Sequence, residues 1–192
     1  MIFTFSLFIA ALLLLSCAGT VARTPGKETV REYYFFDGIS LKRTSPVQGR
    51  ISVAEGVTAG NYGVLFFTRE GFYPEAEVFK ATEHPYETEV KALKRLADPR
   101  KGVLIGVVYK PVSGGKIRPR RGIVTLHKSE VVQIAGGNRT YAVMTDERGV
   151  YRIQLPAGEY AVSAGLGEPS EVVVERSKTV IHTIQKGIML VD

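Results

Sequence analysis

The 192-residue chain contains no tryptophan, three histidines and a single cysteine. One cysteine excludes an internal disulfide. The histidines, His84, His127 and His182, lie far apart, and none belongs to a His-Glu-x-x-His arrangement, so we expect no metal site. The chain also lacks a Gly-x-Ser-x-Gly nucleophile motif. Because no set of nucleophile, base and orienting group can be named, we predict no catalytic residues, no cofactor and no enzymatic activity.

An apolar stretch at residues 5–15 is the longest in the chain and is dominated by Leu, Ile, Phe and Ala. It is shorter than the roughly 20 residues that span a bilayer, but it suits the apolar core of an export signal. No Lys or Arg precedes this core, whereas export signals usually begin with a positive patch. An uncleaved anchor or a buried core segment is the alternative interpretation.

The stretch ends in Leu14-Leu15-Ser16-Cys17, which resembles the lipobox of bacterial lipoproteins. The resemblance implies that residues 1–17 are a lipoprotein signal peptide and that lipid is attached to Cys17, which then becomes the first mature residue. Ala18 after the cysteine implies sorting to the outer membrane, facing the periplasm or the surface. Export also argues against nucleic acid as a partner and makes the membrane, through the N-terminal lipid, the first expected partner.

Residues 18–30 are small and polar with Pro and Gly, which predicts a flexible tether. After it, short runs rich in Val, Ile, Tyr, Phe and Thr alternate with Gly, Pro, Asp or Asn, which is typical of strands. The run at 98–102 breaks the pattern and predicts a boundary between a β-rich domain, 31–98, and a second domain, 99–192. The predicted strands lie at 32–36, 39–43, 49–53, 62–68, 76–81, 86–93, 103–110, 122–127, 140–145, 150–155, 159–164, 170–175 and 179–185.

The end of the run at 86–93 also has spacing compatible with a short helix reaching residue 97. The seven strands of the second half predict an antiparallel sandwich of two sheets, so the fold class is all-β. Alternation places Tyr151, Ile153 and Leu155 towards the core and their neighbours away from it. Tyr160, Val162 and Ala164 repeat this pattern on the next strand.

The second half contains Thr145-Asp-Glu-Arg-Gly-Val-Tyr151 and Leu155-Pro-Ala-Gly-Glu-Tyr-Ala-Val162. These motifs, with the opening strand at 103–109, resemble carboxypeptidase regulatory-like domains, which implies an Ig-like, prealbumin-like sandwich. The first half resembles the family more faintly and lacks the Thr-Asp-x-x-Gly turn. The first half therefore has two interpretations. It is either a second small module of the same family, in tandem with the sandwich, or an unrelated β domain that precedes it. The motif positions with a structural role in a turn or corner are Asp146, Gly149, Pro156, Gly158 and Tyr160.

Two surfaces are candidates for binding. The first is a loop with four cations within six residues: Lys116, Arg118, Arg120 and Arg121. Cations clustered in a proline-stiffened loop can chelate phosphate or carboxylate. The competing interpretation is a solvated loop. The second surface is aromatic, at 33–36 and 72–73, where sugar stacking competes with packing between the two halves. Packing is the better explanation, since the chain has no tryptophan.

Together these features predict a non-enzymatic, lipid-anchored envelope protein that acts as a binding, adhesion or scaffolding module. Its expected partners beyond the membrane are an anionic envelope polymer, a glycan or an envelope protein. The alternative function is a carbohydrate- or peptide-binding accessory lipoprotein of a transport or secretion system. The charge distribution fits an acidic partner, because residues 100–192 hold 14 basic and 8 acidic side chains, against 11 of each in residues 18–99.

Overall fold

A computed structural model describes residues 31–113, 121–187 and 189–190. Cys17, the predicted tether and three of the loop cations, Lys116, Arg118 and Arg120, lie outside these residues. All regular structure in the described ranges is strand. The strands are β1 (Arg31–Phe36), β2 (Leu41–Thr44), β3 (Arg50–Val53), β4 (Tyr62–Arg69), β5 (Glu75–Lys80), β6 (Tyr86–Glu89), β7 (Lys101–Ser113), β8 (Ile123–Leu126), β9 (Val131–Gly136), β10 (Arg139–Met144), β11 (Val150–Pro156), β12 (Gly158–Ala164), β13 (Ser170–Val174), β14 (Thr179–Ile181), β15 (Ile184–Gln185) and β16 (Met189–Leu190).

The strands form three sheets. The largest has ten strands and runs in the order β11-β7-β8-β4-β1-β2, with β14, β15 and β16 added to β7 and β5 added to β4. The second has the order β10-β9-β12-β13, and the third pairs β3 with β6. Every pairing is antiparallel except those of β14, β15 and β16, which run parallel to β7. The predicted all-β sandwich fold is therefore confirmed.

Strand β7 is buried on both faces and separates two apolar cores. Leu104 and Val108 belong to the first core, between β7 and the four-stranded sheet. Ile105 and Val107 belong to the second core, between β7 and the strands of the first half. Because successive side chains of a strand point to opposite faces, one uninterrupted apolar run supplies both cores.

Strands β1 and β4 repeat this two-sided burial. Phe36 and Phe66 enter the second core, whereas Phe35 and Phe67 enter a third core that lies against β3 and β6. The four aromatic residues at 33–36 are thus shared between two cores, and the Phe36 ring meets the Tyr109 ring edge-on at 5.1 Å. The expectation that these aromatics pack between the two halves holds for Phe36 and Tyr34, whereas Tyr33 and Phe35 pack inside the first half.

Packing also confirms the faces predicted for the second half, because Tyr151, Leu155 and Tyr160 are buried in the first core and Ile153 packs against it. Val150, which alternation turned away from that core, is nevertheless buried, since the opposite face of β11 meets the second core. The prediction treated each sheet as covered on one side only. A strand in the middle of stacked layers has no solvent face.

Two local predictions were wrong. Strand β9 was not predicted, and it forms a hairpin with β10 in which Val132 and Ile134 point into the first core. The short helix considered near 90–97 does not form. Instead the chain runs irregularly there, with Val90 and Leu93 against the third core and a bridge between Phe72 and Arg95.

A row of polar side chains on β11 joins the two halves outside the second core. Arg152 Nη1 donates to the Pro74 carbonyl at 2.7 Å and to Glu75 at 2.9 Å. The Tyr73 hydroxyl donates to Gln154 at 2.9 Å, and Gln154 donates in turn to the Asp98 carbonyl. The strands on either side of the predicted 98/99 boundary thus share a core and this polar contact, while the division itself stays a prediction.

Candidate functional site

The turn after β1 is organised around one buried carboxylate. The Asp37 side chain has no solvent exposure, and its Oδ1 accepts the backbone N–H groups of Ile39 at 3.0 Å and Ser40 at 2.7 Å. Burial by itself raises the pKa of Asp37, but these two N–H donors and the Lys42 ammonium outweigh it and hold the pKa below its usual value. The turn is therefore a fixed structure with an ionised centre.

This turn lies directly against the base of the cation-rich loop. A Cβ atom on Gly38 would lie 2.7 Å from the carbonyl oxygen of Gly122, so only glycine permits the approach. Gly38 also has a φ of +86°, in the region that favours glycine. Gly122 itself closes the loop by accepting the N–H of Val112 at 3.1 Å.

Arg121 is held by two residues of the first half. Its carbonyl accepts the N–H of Thr58 at 2.9 Å and the side-chain amide of Asn61 at 3.2 Å. Its own N–H donates to Thr58 Oγ1 at 3.1 Å. The backbone of this predicted anion-binding residue is therefore clamped, while its guanidinium stays half-exposed, 3.9 Å from Asp37.

We call residues 37–42 together with Arg121 the distal tip. Residues 37–42 follow the end of β1 that lies opposite Arg31, and Arg121 faces Asp37 there. The tip exposes two apolar side chains, Ile39 at 63% and Leu41 at 41%. The Lys42 ammonium, 3.2 Å from Asp37, is half-exposed at the same end of β2. Strand β2 is also the end strand of the described sheet path. The tip thus combines cations, apolar side chains and a strand edge in one place.

The residues predicted for the turn before β11 lie as a single hydrogen-bonded unit. Asp146 Oδ1 accepts the N–H of Arg148 at 2.9 Å and of Val150 at 3.0 Å. The N–H of Gly149 donates to the Asp146 carbonyl at 2.9 Å, with Gly149 at a φ of +72°. The Arg148 guanidinium donates to Asp146 Oδ2 through Nε and Nη2 and, through Nη1, to the Ala76 carbonyl in the first half. The turn therefore also contributes to the contact between the halves.

The residues predicted for the corner after β11 are also brought together. The Tyr160 hydroxyl donates to the Pro156 carbonyl at 2.9 Å, and the Tyr160 ring enters the first core. Gly158 opens β12 between them. The ring also covers Gly136 of β9, where a Cβ atom would lie 2.3 Å from it. This contact was missed because β9 was missed.

The histidines do not converge on a metal-type arrangement. No group of three or more His, Cys, Asp or Glu side chains suited to a metal occurs in residues 31–113 and 121–187. His84 is exposed, whereas His127 and His182 lie among the strands, each with a buried Nε2 that has no hydrogen-bond partner. Burial lowers the pKa of His182, which keeps its imidazole neutral near pH 7.

The aromatic surface suggested by the sequence is engaged in packing. The guanidinium groups of Arg69 and Arg95 lie over the Phe72 ring, at 4.5 and 5.4 Å from its centre. The Tyr73 hydroxyl donates a hydrogen bond to Gln154, and Tyr33 is buried in the third core. These rings stabilise the body, so the distal tip is the better candidate for a binding surface.

No protein-family model matches the chain, and no curated protein matches it. Two solved structures are similar over most of it. The Bacillus anthracis TIE protein is 12% identical over 82% of this chain with a TM-score of 0.34, and the chain spans only 34% of that protein's length. The GBS52 minor pilin of Streptococcus agalactiae is 13% identical over 83% of each chain with a TM-score of 0.31. Values this low establish neither a family nor a function.

Within the residues that the structure describes, no helix has the length and apolar character needed to cross a membrane.

Replacing Gly38 by alanine tests the contact between the turn and the loop base. The new methyl group would meet the Gly122 carbonyl, and it would also occupy a positive-φ conformation. Gly60→Ala is the matched control, because Gly60 has a φ of +92° but open space around it. We expect the control to lose about 1–2 kcal/mol of unfolding free energy in urea, from backbone strain alone. Gly38→Ala should lose clearly more; equal losses would show that the contact is unimportant.

The buried His182 predicts a pH dependence of stability. Because its pKa is lowered from 6.5, the unfolded chain binds more protons than the folded chain below about pH 6.5. The stability from neutral His182 is therefore present above pH 6.5 and lost as the pH falls through the folded pKa. His182→Gln should therefore lose less unfolding free energy than the native chain between pH 7 and 5. His84→Gln, in an exposed segment, is the matched control for the loss of one histidine. If His182→Gln leaves the pH dependence of stability unchanged, the assignment is wrong.

Proposed function

We propose that this chain is an exported, lipid-anchored envelope protein that binds an anionic envelope component and acts as a binding or scaffolding module without catalysing a reaction. The lipobox-like Cys17 and the apolar stretch before it support export and anchoring. The tether at 18–30 would then separate the folded body from the membrane. In this proposal the anchor holds the protein at an envelope membrane, and the body presents the binding surface.

We further propose that the second half is a carboxypeptidase regulatory-like sandwich. Its support is the geometry of the two motifs: the Asp146 turn, with Gly149 at positive φ, and the corner in which Tyr160 donates to Pro156. These residues make bonds that shape the backbone, and they contact the core of the body. Residues with these structural roles are expected in a module whose folded body carries a binding surface.

The observation that carries the proposed function is the clamp on Arg121. Thr58 and Asn61 fix its backbone through three hydrogen bonds, and its guanidinium remains half-exposed. A cation on a pre-positioned backbone loses less conformational freedom on binding an anion than a cation on a free loop. Lys116, Arg118 and Arg120 precede Arg121 in sequence and add to the local positive charge. Guanidinium groups favour phosphate and carboxylate because two parallel N–H bonds fit each of them.

Binding to soluble polyphosphate tests the proposed anion contact. In the chain from residue 18 onward, which retains every described residue, changing Arg118, Arg120 and Arg121 together to alanine should weaken binding at least about tenfold. The native affinity should also fall steeply with salt. The readout is titration of the protein with labelled polyphosphate.

A second triple variant separates a local site from the effect of net charge. Lys128, Arg139 and Arg176 are exposed and lie elsewhere on the body, and changing them to alanine removes the same three charges. This control should retain most of the affinity. If both triple variants bind equally weakly, the attraction belongs to the whole charge of the protein, and the loop is not its site.

A further inference from the structure

We propose that the distal tip docks onto the surface of an anionic lipid bilayer, with Ile39 and Leu41 entering the headgroup region and Lys42 and Arg121 facing the phosphates. This inference rests on the proposed function and names the partner of the same end of the molecule. The juxtaposition that carries it is two exposed apolar side chains, on the Asp37 turn and at the start of β2, at the same end of the molecule as two half-exposed cations that both face Asp37.

The turn displays Ile39 in a fixed position. Asp37 is buried and accepts two consecutive backbone N–H groups, from Ile39 and Ser40, so the backbone at the tip cannot collapse onto the body without losing those bonds. A side chain that is 63% exposed on such a turn is held out of the core by the fold itself. Insertion into a bilayer therefore requires no rearrangement of the tip.

The charges of the distal tip favour an anionic surface. The carboxylate of Asp37 is fully buried, whereas the Lys42 ammonium and the Arg121 guanidinium that face it are each about half-exposed. Two cations against one buried anion leave a net positive charge at the solvent side. Long cationic side chains beside apolar ones are the combination that binds lipid headgroups, because their stems lie along the acyl boundary while their charges meet phosphate. A soluble polyanion would use the cations alone.

The tether is long enough for this arrangement. Thirteen residues, 18–30, separate Cys17 from Arg31, and the fully extended span from Cys17 to Arg31 would be about 48 Å. Strand β1, from Arg31 to the turn, is about 17 Å long. The tip can therefore reach the bilayer that holds the anchor, with the start of β1 directed away from it. Docking would set the orientation of a body that the lipid already holds nearby.

The test measures binding of the chain from residue 18 onward to vesicles with equal parts phosphatidylglycerol and phosphatidylcholine, by co-sedimentation. Ile39→Ser should weaken vesicle binding about tenfold, because it removes an apolar side chain that would leave water on docking. The N–H of residue 39 is retained, so the bond to Asp37 is retained, and thermal unfolding checks that the fold is unchanged. Val47→Ser is the matched control, because Val47 is 74% exposed but lies beyond the opposite end of β2.

Polyphosphate binding of the same variants distinguishes this inference from the proposed function. Ile39→Ser should bind polyphosphate like the native chain, since the soluble polymer offers no apolar phase. If Ile39→Ser and Val47→Ser bind vesicles equally, the docking inference is overturned. If the native chain binds polyphosphate but not vesicles, docking fails while the proposed function stands. If it binds neither, both fail.

Discussion

The structure depends on the burial of β7 on both faces. Leu104 and Val108 on one side and Ile105 and Val107 on the other are between 0 and 1% exposed. A strand of this kind loses its solvent face entirely, so it needs a layer of apolar side chains above and below it. The four-stranded sheet supplies one layer and the strands β1 and β4 supply the other. Each of the two halves therefore covers apolar surface that the other half would expose if it stood alone.

This shared core also positions the distal tip. Ile123 in the second core pairs with Tyr62 at the start of β4, which places the end of the cation-rich loop beside the segment that holds Thr58 and Asn61. The clamp on Arg121 and the contact of Gly38 with Gly122 follow from that placement. The tip is thus a product of both halves, although its residues are separated by about eighty positions in sequence. The proposed anion binding and the proposed lipid docking both depend on this one long-range arrangement.

Local periodicity predicted much of the fold. Alternating side chains located most strands, and the Gly149 turn and the Tyr160 corner were visible because their residue types are tied to backbone geometry. Strand β9 was missed even though Gly136-Gly137-Asn138 marks a tight turn after it. The alternation of apolar Val132 and Ile134 with polar or small residues could have predicted this strand.

The stacking of layers could not be predicted in the same way. Alternation shows that a residue such as Val150 changes face, but it does not show whether another sheet covers that face. The burial of Asp37 was likewise invisible, because it depends on partners brought in by the turn and by Arg121, which is distant in sequence. Charge clustering suggested the loop cations, and only the long-range contacts revealed the apolar tip beside them.

Amide hydrogen exchange on the whole chain, followed by mass spectrometry under native conditions, tests the shared second core most directly. If that core joins the two halves, the protected amides of β4 and β7 should exchange together, through one global opening with the same free energy. Exchange of β1 and β4 to completion while β7 and β11 stay protected would show that the halves unfold independently, and it would contradict this account.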